Sequence, residues 1–166
     1  MKKVFENVTF DEIEIGQSAE IKKEITQDDI ESFAGVSGDV NPAHLDQGYA
    51  DHSLFHGVIA HGMFSGALIS AVLGTKLPGP GTIYLNQSLQ FKAPVRVGDT
   101  ITAIVKVLSK TDEKKIVKLE CKVTNQKQKV VVEGVAEVMA PTDKIITKKP
   151  HTPKVIIADQ DHLEAD

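Results

Sequence analysis

The sequence lacks several features that would point to particular classes of protein. It has a single cysteine, Cys121, and no tryptophan among its 166 residues. One cysteine excludes a fold held by internal disulfide bonds. Neither charge dominates, because 23 Asp and Glu face 19 Lys and Arg, for a net charge of -4. Nucleic-acid-binding domains usually carry a basic surplus, so no nucleic-acid partner is expected.

Targeting and membrane segments are also missing from the pattern. The first residues lack the apolar stretch of a secretory signal peptide, and with a single cysteine this predicts a cytoplasmic protein. The run from Gly57 to Gly74 has no formal charge and is about as long as the shortest membrane-spanning helix. It contains His61, glycines and serines, so we predict a buried core helix and no membrane association.

The residues that are present predict one folded domain. Hydrophobic residues make up 41% of the chain and charged residues 25%, which is ordinary for a globular protein of this length. Thr26, followed by acidic residues, predicts a capped helix that ends near Gly35 to Gly38. A strand or two is expected between Phe10 and Glu24. Period-two alternation predicts four more strands after the long helix, over Thr82 to Phe91, Ile101 to Val107, Val117 to Val123 and Val130 to Val138.

The long helix determines the predicted architecture. Its residues are apolar or small on every face, so other elements must cover it all round. An antiparallel sheet wrapped around the helix solves this problem and gives an α+β fold. The open edge of such a sheet predicts a dimer. We assign residues 1–140 to this domain, and residues 141–166, which hold little pattern, to a linker-like C-terminal extension.

Asp39 and His44 form the first candidate for chemistry. They lie five residues apart in a turn-rich stretch, where Pro42 forces Asn41 out of helical geometry. Asp and His exchange protons near neutral pH, so the pair is suited to acid–base work on one water molecule, with Asn41 orienting either partner. The alternative is that Asp39 only closes a turn and His44 lies on the surface.

Gly62 is the second candidate. It lies near the N-terminal end of the predicted long helix, in Ala60-His61-Gly62-Met63, and glycine lets a substrate approach the backbone N–H closely. The alternative is that it only allows tight packing against the sheet. No Asp or Glu occurs between His52 and Gly98, whereas three cations do, a local field that would suit the phosphates of coenzyme A. The alternative is a solvated loop with three ordinary surface cations, and the pattern favours it slightly. These cations are Lys76, Lys92 and Arg96.

A metal site is the weaker possibility. His52 and His56 are four residues apart, a spacing that places two imidazoles on one face of a helix. Other possible ligands lie nearby in the sequence, namely His44, His61, Asp46 and Asp51. The glycines and serine around His52 and His56 indicate a loop instead, and we expect no metal. Cys121 falls on the inward face of a predicted strand, which favours a buried inert thiol over a nucleophile.

These motifs resemble one known family. The stretch Asp39-Val40-Asn41-Pro42-Ala43-His44 is similar to the Asp-x-Asn-Pro-x-His motif of MaoC-like (R)-specific enoyl-CoA hydratases. Two further stretches resemble the central helix and the following strand of that family, and the likeness covers roughly residues 10–140. They are Phe55 to Met63 and Leu77 to Leu85.

The resemblance implies a hot-dog fold in a homodimer that adds water reversibly, in syn fashion, to a trans-2-enoyl-CoA, giving the (R)-3-hydroxyacyl-CoA. It implies that Asp39 and His44 are the acid/base pair and that the Gly62 N–H is the oxyanion donor. It also implies that Ser70 supports the hydrogen-bond network, although its position alone suggests only helix packing. No cofactor is expected, since coenzyme A is part of the substrate.

Two alternatives remain open in the sequence. A hot-dog thioesterase shares the substrate class, but many such enzymes place a carboxylate on or beside the central helix, and none occurs here. A non-catalytic acyl-CoA-binding module of an acyltransferase assembly is the other alternative. The join after Ala140-Pro141-Thr142 resembles that of proteins fusing a hydratase to a phosphate acyltransferase, so fusion or association with such an enzyme is a further expectation.

Overall fold

The computed structural model describes residues 4–158. In chain order, its α-helices and strands are β1 (Val4–Glu6), β2 (Ser18–Glu24), α1 (Gln27–Ser37), α2 (Pro42–Leu45), α3 (Gln47–His52), α4 (Gly62–Thr75), β3 (Ile83–Phe91), β4 (Thr100–Thr111), β5 (Ile116–Thr124), β6 (Val130–Met139) and β7 (Ile146–Lys148).

Five strands form one antiparallel sheet in the order β2-β4-β5-β6-β3. Alternate residues of β4 and β5 are buried, as a strand with one covered face requires. Helix α4 packs on this face through side chains that include Ile69, Val72 and Leu73. The structure therefore confirms the α+β hot-dog architecture and the four strands predicted after the long helix.

Helix α1 follows the predicted capping chemistry. Thr26 accepts a hydrogen bond from the backbone of Asp29, and the Asp29 carboxylate accepts one from the backbone of Thr26, which is a capping box. The helix ends at Gly38, whose left-handed φ of 75° is easy only for glycine. This termination directs the chain into the turn that carries Asp39.

The long helix begins at Gly62, so the predicted start at Gly57 is wrong. Gly57 has a positive φ of 148°, and the residues after it run alongside the segment that precedes β4. Ile59 forms a bridge with Arg96, and the Ala60 N–H donates to the Val95 carbonyl at 2.8 Å. The charge-free run from Gly57 predicted the helix, but pairing with Val95 and Arg96 keeps its first five residues out of the helix.

The segment between α1 and α4 is more helical than the sequence indicates. We predicted a bent loop from Ser37 to His44 and a loop around His52, whereas short helices α2 and α3 form here. Pro42 occupies the first turn of α2, where its missing N–H and fixed φ are tolerated. Asp46 ends α2 and caps α3.

The first residues of the C-terminal extension are held against the N-terminal segment. Strand β7 pairs with β1 in a separate two-stranded sheet. The buried side chain of Asn7 donates to the Asp143 carbonyl at 2.9 Å and accepts from the Ile145 N–H at 3.0 Å. Residues 149–158 form no helix or strand, and residues 159–166 lie outside the described part of the chain.

One face of α4 is left uncovered by its own chain. Met63 is 56% exposed, and Ala67, Ser70 and Gly74 are also exposed on the same side of the helix. Between residues 4 and 158, no helix is both long and apolar enough to cross a membrane.

Candidate active site

Asp39 lies in the turn between α1 and α2. Its N–H donates to the Ser37 hydroxyl at 3.2 Å, and its Oδ1 accepts from the Asn41 N–H at 3.3 Å. The second oxygen, Oδ2, has no hydrogen bond to the described residues. Asp39 therefore does close a turn, as the alternative proposed, but it keeps one carboxylate oxygen free for another partner.

His44 lies on α2 and is only 9% exposed, so it is not a surface residue. Its Nδ1 is 2.7 Å from the Ile59 carbonyl oxygen. A carbonyl oxygen only accepts hydrogen bonds, so Nδ1 carries the proton and the neutral ring has its lone pair on Nε2. Folding thus leaves His44 with a nitrogen suited to accept a proton.

His61 joins this pair, although its place in the sequence predicted no catalytic role. It is 3% exposed and is the N-cap residue of α4. Its Nε2 lies 2.8 Å from the Asp39 carbonyl oxygen, and its ring stacks on His44 with centroids 3.8 Å apart. Asp39, His44 and His61 each place one carboxylate oxygen or ring nitrogen within 4.8 Å of the others.

Gly62 is the first residue of α4, where backbone N–H groups have no partner within the helix. Among the described residues, its N–H makes no hydrogen bond. An added Cβ would lie 2.7 Å from the Phe91 ring, so only glycine fits beside Phe91 as it stands. Close packing and an accessible donor are both present, and the two readings of Gly62 do not exclude each other.

A largely apolar cavity of about 360 Å³ opens beside Gly62. Asp39 and His44 do not line it. His61 lines the cavity and also contacts both of these residues. The lining residues are Phe55, Ile59, Ala60, His61, Gly62, Ser65, Phe91, Lys92, Ala93, Pro94, Val95 and Val132.

Of the two residues predicted to support the site, Asn41 lies beside the acid/base pair and Ser70 does not. The Asn41 side chain accepts from the Ala43 N–H at 3.0 Å, which caps α2 and so sets where the helix carrying His44 begins. Ser70 is exposed on α4, roughly 12 Å along the axis from Gly62 at 1.5 Å per residue. In the single chain, the structure does not bring Ser70 to the other site residues.

The three predicted cations do not form one cluster. Lys76 follows the C-terminal end of α4, roughly 20 Å along the axis from Gly62. Lys92 lies at the cavity but pairs with Glu133 at 3.1 Å. Arg96 donates from its guanidinium to the Phe55 carbonyl at the cavity edge. Of the three, Lys92 and Arg96 thus lie at or beside the cavity, whereas Lys76 does not.

Histidine spacing did not identify the histidines that meet. His52 is exposed on α3, and its Nδ1 lies 2.8 Å from the Gly48 carbonyl oxygen of the same helix. His56 follows this helix with a positive φ of 52°. The possible metal ligands that come together in residues 4–158 are instead Asp39, His44 and His61, which hydrogen bonds already tie to the backbone.

Cys121 is fully buried in β5, as predicted. Burial raises the pKa of its thiol, which disfavours the nucleophilic thiolate. The site chemistry therefore depends on the carboxylate and the imidazoles. A free carboxylate oxygen, an imidazole acceptor and a helix N-terminus are the groups that proton transfer beside a polarised carbonyl requires.

The family model described as the MaoC like domain matches residues 9–129. The chain belongs to this MaoC-like family. Its match to the (R)-specific enoyl-CoA hydratase of Rhodospirillum rubrum is 55% identical over 134 residues, covering 80% of this chain and 91% of the relative. The enzyme of the same name from Aeromonas caviae is 42% identical over 129 residues, 78% of this chain and 96% of the relative.

Solved structures show the same MaoC-like relationship. The R-hydratase PhaJ1 from Pseudomonas aeruginosa, in its unliganded form, matches with a TM-score of 0.88 and 46% identity, over 93% of this chain and 99% of that one. The (R)-hydratase from Aeromonas caviae matches with a TM-score of 0.75 over 78% of this chain and 98% of that one.

Proposed function

We propose that this chain is an (R)-specific enoyl-CoA hydratase, a hydro-lyase acting on trans-2-enoyl-CoA. The observation that carries the proposal is the meeting of Asp39, His44 and His61 at the N-terminal end of α4, where Gly62 offers a free N–H. Relatives that match most of the chain are named for this activity. Hydration of an enoyl thioester needs an acid/base pair and a donor to the carbonyl oxygen.

The acid/base pair performs the proton transfers. His44 Nε2 accepts one proton from the attacking water, and the free Asp39 oxygen holds the water by its other hydrogen. The water oxygen bonds to C3 as the C2=C3 electron pair shifts toward the thioester carbonyl. C2 then takes a proton from the pair, which is left as it began. One pair on one side of the substrate gives addition to a single face, so the hydration is syn.

Gly62 stabilises the intermediate charge. The thioester oxygen becomes enolate-like after the C–O bond forms, and the free N–H of Gly62 at the α4 N-terminus donates to it. This reaction needs only proton transfer and hydrogen bonding, so we propose that no cofactor takes part. Coenzyme A belongs to the substrate, and the cytoplasm, where acyl-CoA thioesters are made and used, is the proposed location.

We propose that the working form is a homodimer. β3 is an edge strand of the five-stranded sheet, and it exposes Ile83 (54%) and Leu85 (49%). The uncovered face of α4 begins at Met63, next to Gly62. A second copy placed on β3 and this face would cover the open sheet edge and enclose the cavity beside the site.

The domain boundary near residue 140 stays a proposal. The hydratase domain in this view comprises residues 1–140, and β7 attaches the start of the extension to β1. Fusion or association with a phosphate acyltransferase rests only on the likeness of the junction after Pro141. Ser70 remains a proposed supporting residue, and its exposed position on α4 means that the partner copy would have to bring its contacts.

Incubation with crotonyl-CoA separates the proposed activity from its alternatives. We expect loss of the enoyl-thioester absorbance without release of coenzyme A, because α4 carries no carboxylate for thioester hydrolysis. A thiol reagent reports released coenzyme A rather than the protein, since Cys121 is buried. Thiol release at the rate of absorbance loss would indicate a thioesterase. Binding without turnover, across several acyl lengths, would indicate the non-catalytic module.

A further inference from the structure

His61 contacts three parts of the site that come from different elements. Its Nε2 lies 2.8 Å from the backbone oxygen of Asp39, in the turn before α2. Its ring stacks on His44 of α2, with centroids 3.8 Å apart and planes inclined by 28°. Its backbone is the N-cap of α4 and leads directly into Gly62. It therefore connects the acid/base pair to the oxyanion donor.

The hydrogen bonds of the ring show which of its atoms matters. Because the Asp39 carbonyl only accepts, His61 Nε2 carries the proton and Nδ1 holds a lone pair. That Nδ1 is buried and has no hydrogen-bond partner among the described residues. An unpaired buried acceptor destabilises the folded protein, and a phenylalanine ring in the same space would avoid that cost. Filling the core is thus a poor explanation for this histidine.

The surrounding rings leave His61 little freedom. The Phe33 ring lies 4.9 Å from the His61 ring, and Phe64 packs on Phe33 at 5.6 Å. His44 covers it as well. A ring held in this way fixes the Asp39 turn relative to α4. The turn is otherwise a loop, and the Asp39 side chain is exposed.

We propose that His61 is a positioning residue for the hydration, and this rests on the proposed function. Its Nε2–H fixes the backbone of Asp39, and its ring supports His44. Both reacting groups are thereby held in register with the Gly62 N–H. Misplacement of reacting groups by about 1 Å can cost on the order of 100-fold in rate. His61 acts through Asp39 and is not required to touch the substrate.

Two substitutions separate the hydrogen bond from the ring. His61→Phe keeps an aromatic ring against His44 but lacks the N–H, whereas His61→Gln places an amide N–H near the former Nε2 without a ring. We expect His61→Phe to lower kcat at least about 10-fold with little change in KM, and His61→Gln to recover part of the lost rate, because it restores the donor to Asp39 but not the ring against His44. If His61→Phe does not fold, His61→Asn, whose amide is too short to reach the carbonyl, replaces it.

A double-mutant cycle with Asp39→Asn tests whether His61 works through Asp39. Residues that act as one unit have non-additive effects, so His61→Phe should slow the residual rate of the Asp39→Asn protein only slightly. A residue that merely stabilises the fold would lower both rates by the same factor. His52→Phe is the matched control, because His52 is exposed and bonds only to its own helix.

The outcomes also distinguish this proposal from the proposed function. A folded His61→Phe protein with a rate within twofold of the unmodified protein, a loss confined to KM, or equal losses in both Asp39 backgrounds overturns the positioning role. If the unmodified protein does not hydrate any enoyl-CoA, the proposed function fails instead. Thermal unfolding of each variant shows whether it is folded, so that rates are compared between folded proteins.

Discussion

The two site histidines differ because each meets a backbone carbonyl with a different nitrogen. His44 donates from Nδ1 to Ile59, and His61 donates from Nε2 to Asp39. The lone pairs are left on His44 Nε2 and His61 Nδ1. At the scale of single residues, the surrounding backbone thus leaves the two rings with different free nitrogens, which supports the proposed division between proton transfer by His44 and positioning by His61.

Substitution of the acid/base pair tests this assignment. Asp39→Asn removes the charge that holds the water, and His44→Ala removes the base, so each should lower kcat about 100-fold or more. Because they act on one water, the double variant should lose little beyond the worse single variant. The measurement is the initial rate of crotonyl-CoA hydration.

His56→Ala is the control for histidine replacement, since His56 follows α3 and lies outside the group of Asp39, His44 and His61. Full activity in either single variant of the pair would remove that residue from the mechanism. Losses that multiply in the double variant would mean that the two residues act on separate steps.

The sequence predicted the parts of the site that are local. Asp39 and His44 are five residues apart in one turn, and the residue types and spacing alone suggested acid–base chemistry. His61 is 22 residues from Asp39 and meets its carbonyl only after α4 has packed beside the turn. Its position directly before Gly62, near the N-terminal end of the predicted helix, was a signal for the site, but it predicted a role for Gly62 alone.

At the scale of elements, the start of α4 decides what Gly62 can do. The pairing of residues 59 and 60 with the segment before β4 keeps the chain extended up to His61. The first free N–H of the helix therefore falls beside the cavity. Hydrophobic patterning did not reveal this start, because the residues before it are as apolar as those within the helix.

A pair of substitutions at Gly62 isolates its N–H. Gly62→Ala keeps the donor but crowds Phe91, whereas Gly62→Pro adds similar crowding and removes the donor. Proline is tolerated at the first position of a helix, and His61, with φ of -58° and ψ of 137°, has the extended geometry that precedes proline. We expect the proline variant to lose a further factor of about 100–1,000 in kcat.

Gly66→Ala is the control for adding a side chain to a glycine of α4, since its new Cβ would meet the flexible ends of Leu89 and Met63. Equal rates in the Gly62→Ala and Gly62→Pro proteins would show that the N–H is not an oxyanion donor. Thermal unfolding of the three variants checks that each helix is intact.

Strand β7 gives a prediction for the C-terminal extension. A chain ending at Ala140 loses the partners of the buried Asn7 side chain, which costs roughly 1–3 kcal/mol and lowers Tm by about 2–10 °C. A chain ending at Lys148 keeps those bonds and should unfold near the temperature of the full chain. Calorimetry compares the three proteins, and equal Tm values would mean that residues 141–148 contribute no stability.

At the scale of the whole molecule, the sequence predicted the fold, whereas the structure was needed to show which surfaces are exposed. An apolar helix and period-two strands were enough to predict a sheet wrapped on a helix. The prediction that the helix is covered all round fails on one face in the single chain, because Met63, Ala67 and Ser70 stay exposed. Periodicity cannot tell whether the chain or a second copy covers a face.

Charge on the sheet edge should separate the proposed dimer. Leu85→Lys places an ammonium group on β3, where a second copy would bury it, so the variant should run as a monomer in light scattering. Ile15→Lys is the control, since Ile15 is 70% exposed in a turn outside the sheet. A monomeric unmodified protein, or a Leu85→Lys protein with unchanged mass, would contradict the dimer on this edge.

The most direct test of the central claim is hydration of crotonyl-CoA in deuterium oxide, followed by NMR of the product. If Asp39 and His44 handle one water on one side of the substrate, deuterium and hydroxyl are added to the same face, and the proposed (R)-specificity gives the R configuration at C3. An S product, or deuterium on the face opposite the hydroxyl, would contradict the account.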